Sequence, residues 1–366
     1  MTGTSLTDPA RFAALLSGRS PCIAPSPAEA LCACNSALSL WRVLPTFLPV
    51  LNEWIGPERD LAVEAALERL EAVGTAARVI AAMQLELTRR VVNTLDHHQI
   101  PYSLLKGAAA RVDLYGEGPH NRAGLDIDIA VEAKHIDAAA TAVESLGFVP
   151  AGLSSNDDRH YVTIDRVQQE RVRRNHYELA TLARRQVMRG LSKATAQKIK
   201  AAHDIVFFWH ELDENELACY VTVDLHHGLG IDMPVETLVA QSRERTLGDR
   251  TFRVPSRAWM LFHLIFKLYW EGVHNYGKGA YQYADIARLV PNLDDSDAVS
   301  LAELLDDYQL QAGACYVLRR MEPAFGVSLP PPIAALVDEL EASPRALSPI
   351  EANDLGDMWE KIWKQQ

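Results

Sequence analysis

Residues 99–150 carry five alternating strand-like and helix-like patterns in about 50 residues, a spacing that calls for an α/β unit rather than a bundle or a sandwich. In "QIPYSLLKG" (99–107), Tyr102 to Leu105 reads as a short buried strand that Gly107 ends. "AAARVDLYG" (108–116) reads as a short helix and "EGPHNRAG" (117–124) as loop. A strand follows at 125–131, then a helix over 133–147 with Gly147 as its C-cap, then a further extended stretch.

The flanks are different. Residues 60–98 are rich in Ala, Leu, Glu and Arg at helical spacing, with Gly74 placed to divide them into two helices. After Pro255 the pattern is helical again. "SRAWMLFHLIFKLYWEG" (256–272) is apolar enough to be a central buried helix, and "SLPPPIAAL" (328–336) is a Pro-rich joint. "HYVTI" (160–164), "DIVFFWHEL" (204–212) and above all "ACYVTVDLHHGL" (218–229) add strands. The expected domains are an N-terminal helical region (1–99), a core (100–250) with a basic helical insertion near 166–200, and a C-terminal helical region (251–366).

A net charge of −12 over 366 residues argues against a general nucleic-acid coat but leaves room for a small anionic substrate in a local basic pocket. No apolar run approaches the ~18 residues that span a bilayer, and the N-terminus lacks the basic and apolar regions of a signal peptide. Cys22, Cys32, Cys34, Cys219 and Cys315 fit neither a disulfide framework nor a zinc site. They read as reduced thiols of a cytoplasmic protein with no membrane association.

Asp126 and Asp128 stand two apart in "LDIDIAV", so a strand puts both on one face and Ile127 and Ile129 on the other. Like charges so close raise each other's pKa. Solvated carboxylates on an exposed face would explain a lone pair of this kind. Here a third acid, Asp224, sits in its own apolar strand followed by His226 and His227, and the loop before Asp126 holds Arg122, with a Lys-Gly turn upstream of it. Clustered acids on apolar strands call for a neutralising cation. Mg²⁺, with manganese as the alternative ion, takes one or two carboxylates plus substrate phosphates. A carboxylate pair can also bridge two ions, the arrangement used for phosphoryl and nucleotidyl transfer.

The ordered set "LLKGAA", "LYG", "NRAGLDIDIAV" and "VDLHHGL" resembles a bacterial nucleotidyltransferase family labelled uncharacterised, within the DNA polymerase β-like superfamily. The likeness runs over roughly residues 100–290. It implies an α+β fold, a small mixed sheet with helices flanked by N- and C-terminal helical regions. It also implies Asp126 and Asp128 as ligands of two Mg²⁺ ions, and Asp224 as a ligand of the catalytic one that helps deprotonate the acceptor. Lys106 and Gly107 then occupy the triphosphate turn, where glycine permits close backbone approach and lysine adds a point charge. Tyr115 and Arg122 match further family positions. Where relatives in the superfamily carry Gly-Ser, this chain has Gly107-Ala108, so that hydroxyl is missing.

Residues 166–200 hold ten Lys or Arg against two Glu. They read either as a solvated helical face or as an arm meeting a triphosphate or anionic acceptor. Within them "NHYEL" (175–179) also looks like a family feature, and His176 either touches substrate or makes a structural hydrogen bond. His226 shares the strand face of Asp224 and supports the site, whereas His227 points away. His263 reads as a core histidine and Asp285 as a structural residue.

The expected activity is transfer of NMP from an NTP, an ATP-binding site included, to a hydroxyl, carboxyl or phosphate of a small molecule or peptide, releasing pyrophosphate. Family resemblance also admits a toxin-like enzyme acting on tRNA. A non-catalytic module on the same fold is the competing class. A metal-dependent phosphohydrolase would add histidine ligands as an HxH set, which the sequence lacks; its His pairs at 97–98 and 226–227 do not have that spacing.

Overall fold

The computed structural model describes residues 15, 24–116, 118–154, 157–189, 191–201, 209–211, 216–230, 233–274 and 280–342. They fall into two units, one of residues 72–256 and one made of 1–71 with 257–366. The elements are α1 (Pro27–Ala37), α2 (Leu44–Ile55), α3 (Leu61–His97), β1 (Tyr102–Leu104), α4 (Lys106–Asp113), β2 (Asp126–Val131), α5 (Ile136–Glu144), β3 (Val149–Ser154), β4 (Asp157–Thr163), α6 (Arg166–Asn175), β5 (Leu182–Val187), α7 (Lys193–Ala201), β6 (Trp209–Glu211), β7 (Leu217–His226), β8 (Gly228–Gly230), β9 (Met233–Pro234), α8 (Glu236–Ala240), β10 (Arg243–Leu247), β11 (Arg250–Val254), α9 (Arg257–His274), α10 (Ala280–Leu289), α11 (Asp295–Asp307), α12 (Gln311–Leu318), α13 (Met321–Phe325) and α14 (Pro331–Ala342).

The unit of residues 72–256 is built on a mixed sheet ordered β1-β2-β7-β5-β3-β4, with β6 also on β7. Among the described strands only β2 and β7 run parallel. β5 pairs with Ala218–Val223 along one edge of β7, so β6 and β2 share the other edge in succession. Ile127, Ile129, Val221, Val223 and Leu225 form one face and are fully buried. Helix α5 covers this face with Ile136, Ala139, Ala142 and Val143, and Arg184 on the same face donates to the Leu146 carbonyl at 2.6 Å. The opposite face carries the acids.

Two sequence expectations change. Helix α3 is continuous through Gly74, because Leu70, Val73, Ala76, Ala77 and Ile80 form one buried stripe across it. That burial outweighs the roughly 1 kcal/mol that an interior glycine costs. The basic segment 166–200 is also not helical throughout. Its middle is β5, a strand inside the sheet, whose Leu182 and Ala183 are buried while Arg185 and Val187 are exposed. The arginine count masked a half-buried alternation. The expected strand over 204–212 is described only at Trp209–Glu211.

The second unit is helical. Here α9 lies against α10, α11 and α12. Trp259, Phe262 and Tyr308 pack edge to face or tilted, with ring centres 5.2–6.1 Å apart. Capping boxes at Ser26/Glu29 and Asp294/Asp297 start α1 and α11. Cys32, Cys34, Cys219 and Cys315 are free thiols, and Cys22 lies outside the described residues. Among the described residues no helix is long and apolar enough to cross a membrane.

Candidate active site

Parallel pairing of β2 with β7 places Asp126 opposite Thr222, Asp128 opposite Asp224 and Ala130 opposite His226. Partners in such a register share a face, so three carboxylates and one imidazole meet on the side of the sheet opposite α5. One ligand oxygen from each of Asp126, Asp128 and Asp224 lies within 4.8 Å of the other two.

Asp128 is the most enclosed, at 1% exposure. Its Oδ1 accepts from His226 Nε2 at 2.8 Å and pairs with Lys106 Nζ. Burial works against its charge, but Lys106 and then His226 outweigh it and hold the carboxyl well below the usual range. Lys106 is the mirror image. Burial opposes its charge, yet Asp128, then Asp126 and Asp224, hold it above the ordinary lysine range. Asp224 goes the other way. Burial and the charges of Asp126 and Asp128 raise its pKa, and Lys106 offsets this only in part.

Two carboxyl oxygens, Asp128 Oδ2 and Asp224 Oδ1, are buried without a hydrogen-bond partner. An orphaned buried acceptor is expensive, on the order of 1–3 kcal/mol and more when charged. Hard oxygen donors left open on two in-register residues, with a third carboxylate beside them, suit a divalent cation of the Mg²⁺ or Mn²⁺ kind. The residues present therefore fit the metal that the sequence calls for.

The turn before α4 borders this cluster. Leu105 N–H donates to the Asp128 carbonyl at 2.9 Å, which ties the turn to β2. Lys106 adopts φ of 44°, a left-handed conformation unusual for a side-chain-bearing residue. Next to it, a Cβ on Gly107 would sit 3.6 Å from the Arg122 guanidinium. Ala108 is buried at 1% exposure.

Arg122 and Arg111 are both buried, at 2% and 1% exposure. Arg111 donates to the Arg122 carbonyl at 2.8 Å and to Gln84 Oε1 at 2.6 Å. Gln84 in turn brackets Gly124, accepting from its N–H at 3.1 Å and donating to its carbonyl at 3.0 Å. One side chain of α3 thus fixes the loop that leads into Asp126. Asp113, at the other end of α4, is held by Arg243 and, at 2.7 Å, by Arg245.

The remaining sequence candidates divide. His226 is brought to the acids. Tyr115 is buried at 5% exposure just after α4. His176 caps α6, its N–H donating to the Val172 carbonyl at 2.9 Å. It lines a cleft of about 490 Å³ with Arg173, Arg174, Tyr177 and His227. His263 and Asp285 are buried in the helical unit. Sequence reasoning did not single out Glu178, Gln84, Arg111 or Tyr161. Tyr161 packs edge to face on Tyr220 at 5.5 Å, and burial with the charges of Asp224 and Asp126 raises its phenol pKa. "NHYEL" contained the signal for Glu178; the other three had none, because helix, loop and hairpin meet only in the fold.

A family model described as "Uncharacterised nucleotidyltransferase" matches residues 53–326. Comparison with curated proteins finds no match. Among solved structures, the solution structure of the antibiotic-resistance factor ANT(2'')-Ia matches with 13% sequence identity and a TM-score of 0.34, covering 63% of this chain and 95% of that one.

Proposed function

Because the chain belongs to the uncharacterised nucleotidyltransferase family, we propose that it moves an NMP from an NTP to an acceptor hydroxyl, carboxyl or phosphate, with release of pyrophosphate. The observation that carries this reading is the set Asp126, Asp128 and Asp224, with the buried unpartnered oxygens of Asp128 and Asp224, beside a lysine-glycine helix start. Asp126 and Asp128 would hold two Mg²⁺ ions, and Asp224 one of them. Bound there, the ions would supply Lewis-acid stabilisation of the charge on the transferred group.

The chain's own residues supply the rest. The first turn of α4 offers unpaired backbone N–H groups and the positive end of the helix dipole. Lys106, Gly107 and Arg122 lie at this turn and would take the triphosphate, with Lys106 exchanging Asp128 for a phosphate oxygen. Without the serine hydroxyl, triphosphate affinity rests on these cations and N–H groups. The pyrophosphate end then lies on the β1 side of β2. In-line geometry puts the acceptor on the opposite side, toward β7 and β5. Asp224 stands on that side, and its carboxylate would receive the proton of the attacking hydroxyl.

The acidic balance of the chain favours a small molecule or peptide as acceptor over bulk RNA. A non-catalytic module would have no use for buried, unpartnered carboxyl oxygens, which only destabilise it.

Labelled NTP tests the reading. With Mg²⁺ and a cell extract as acceptor source, label at the α-phosphate passes to an acceptor, and label at the γ-phosphate appears in pyrophosphate. Release of the γ-label as orthophosphate, with no transfer from the α-position, would instead identify a phosphohydrolase.

A further inference from the structure

The segment Tyr177–Leu179 is laid along the end of β7 by backbone hydrogen bonds. Leu179 N–H donates to the Leu225 carbonyl at 2.9 Å, and the Tyr177 carbonyl accepts from His227 and Gly228 N–H, each at 3.0 Å. Glu178 forms a bridge with His226 across this pairing. Its Oε2 lies 3.4 Å from His226 Nδ1. The Tyr177 ring stacks on the imidazole, with centres 6.0 Å apart and planes within 20°. The other ring nitrogen of His226 bonds Asp128 Oδ1 at 2.8 Å. Glu178, the imidazole and Asp128 thus stand in a row that ends at the acid cluster, the inner contact a hydrogen bond and the outer one at ion-pair distance.

We infer that Glu178 is a positioning residue that acts through His226 to fix Asp128 with its unpartnered Oδ2 presented to the divalent cation. This rests on the metal reading above. The physical reason is specific. A buried imidazole with one nitrogen on Asp128 can still turn about that hydrogen bond. Glu178 at the second nitrogen and Tyr177 on the ring face remove this freedom. With Oδ1 taken by His226 and Lys106, the carboxylate plane is set before the ion arrives. The role gives the "NHYEL" motif a purpose that does not involve direct contact with substrate. Glu178 is part-exposed, with 32% of its side chain accessible, so its replacement leaves the core intact.

The test is Mn²⁺ binding to the full chain, read by loss of the free-ion electron paramagnetic resonance signal. Wild type is measured first: absence of binding would overturn the metal reading and this inference with it. Given binding, Glu178→Ala is expected to weaken it about 10–100-fold, the usual effect of removing an outer partner of a metal ligand. Metal-free thermal unfolding should stay unchanged. Glu178→Gln, which can offer either an amide N–H or a carbonyl to Nδ1, should bind within a few-fold of wild type. His226→Ala should be weakened similarly, and adding Glu178→Ala to it should change nothing further, because both act along the same row. Full additivity of the two losses, or wild-type affinity in Glu178→Ala, overturns the positioning role while leaving the metal site standing.

Discussion

Asp224→Asn is expected to give a protein that is more stable without metal and inactive as a transferase. The two effects share one cause. Asp224 is half-buried beside Asp126 and Asp128, and desolvation together with their charges raises its pKa. A carboxyl whose folded pKa lies above its unfolded value contributes stability at low pH and loses it as pH rises through the folded value. Metal-free wild type should therefore weaken between mildly acidic and alkaline pH, by about 1.4 kcal/mol for every tenfold difference between the folded and unfolded acid constants. Asparagine removes the charge and with it this loss. In melts with a chelator, the variant should exceed wild type by a few degrees at pH 8 and by less at pH 5. Label transfer from NTP should fall by roughly 10²–10³-fold or more, the scale seen when a group stabilising transition-state charge is removed. Equal melting temperatures at both pH values would mean that the three carboxylates do not repel in the folded chain.

Lys106→Met should move two affinities in opposite directions. In the metal-free protein Lys106 pairs with Asp128 and is held charged by all three acids, so it competes with a divalent cation for the same oxygens. Removing it should tighten Mg²⁺ binding in the absence of nucleotide, on the order of tenfold for one close charge at partly exposed depth. It should weaken binding of Mg²⁺ with inorganic tripolyphosphate by a similar factor, because the triphosphate loses its point charge. Calorimetry with the ion alone and then with tripolyphosphate separates the two. Loss of both affinities would show instead that Lys106 holds the turn in shape, a role its left-handed backbone would fit.

The acid pair was legible because strand periodicity needs only residues 125–131. Asp224 was a candidate as an acid inside an apolar strand of its own, but its role beside the pair rested on the resemblance. Nothing in periodicity says that two strands about a hundred residues apart run parallel with Asp128 opposite Asp224. The same limit applies to Gln84, which reaches Gly124 across 40 positions, and to Arg111. β5 was hidden for another reason. Its arginines read as a charged helical face, but from Arg184 to Val187 half-buried and exposed positions alternate, with Leu182, Arg184 and Gln186 on the helix-covered face and Arg185 and Val187 on the other, a period of two rather than 3.6. Gly74 shows propensity overridden by packing. Glu178 lay inside a motif that could be quoted but not explained, because the meaning of "NHYEL" depends on where β7 ends.

The most direct test of the central claim is calorimetric titration of each of the four NTPs, with and without Mg²⁺, into wild type and into the Asp126→Ala/Asp128→Ala double variant. A metal-and-triphosphate site predicts Mg²⁺-dependent binding of at least one NTP to wild type, weakened at least ~100-fold in the variant, beyond what loss of an outer partner alone would cause. NTP binding that needs no Mg²⁺ and survives the double substitution would contradict it, and would make the chain a nucleotide-binding module that has kept the fold without the chemistry.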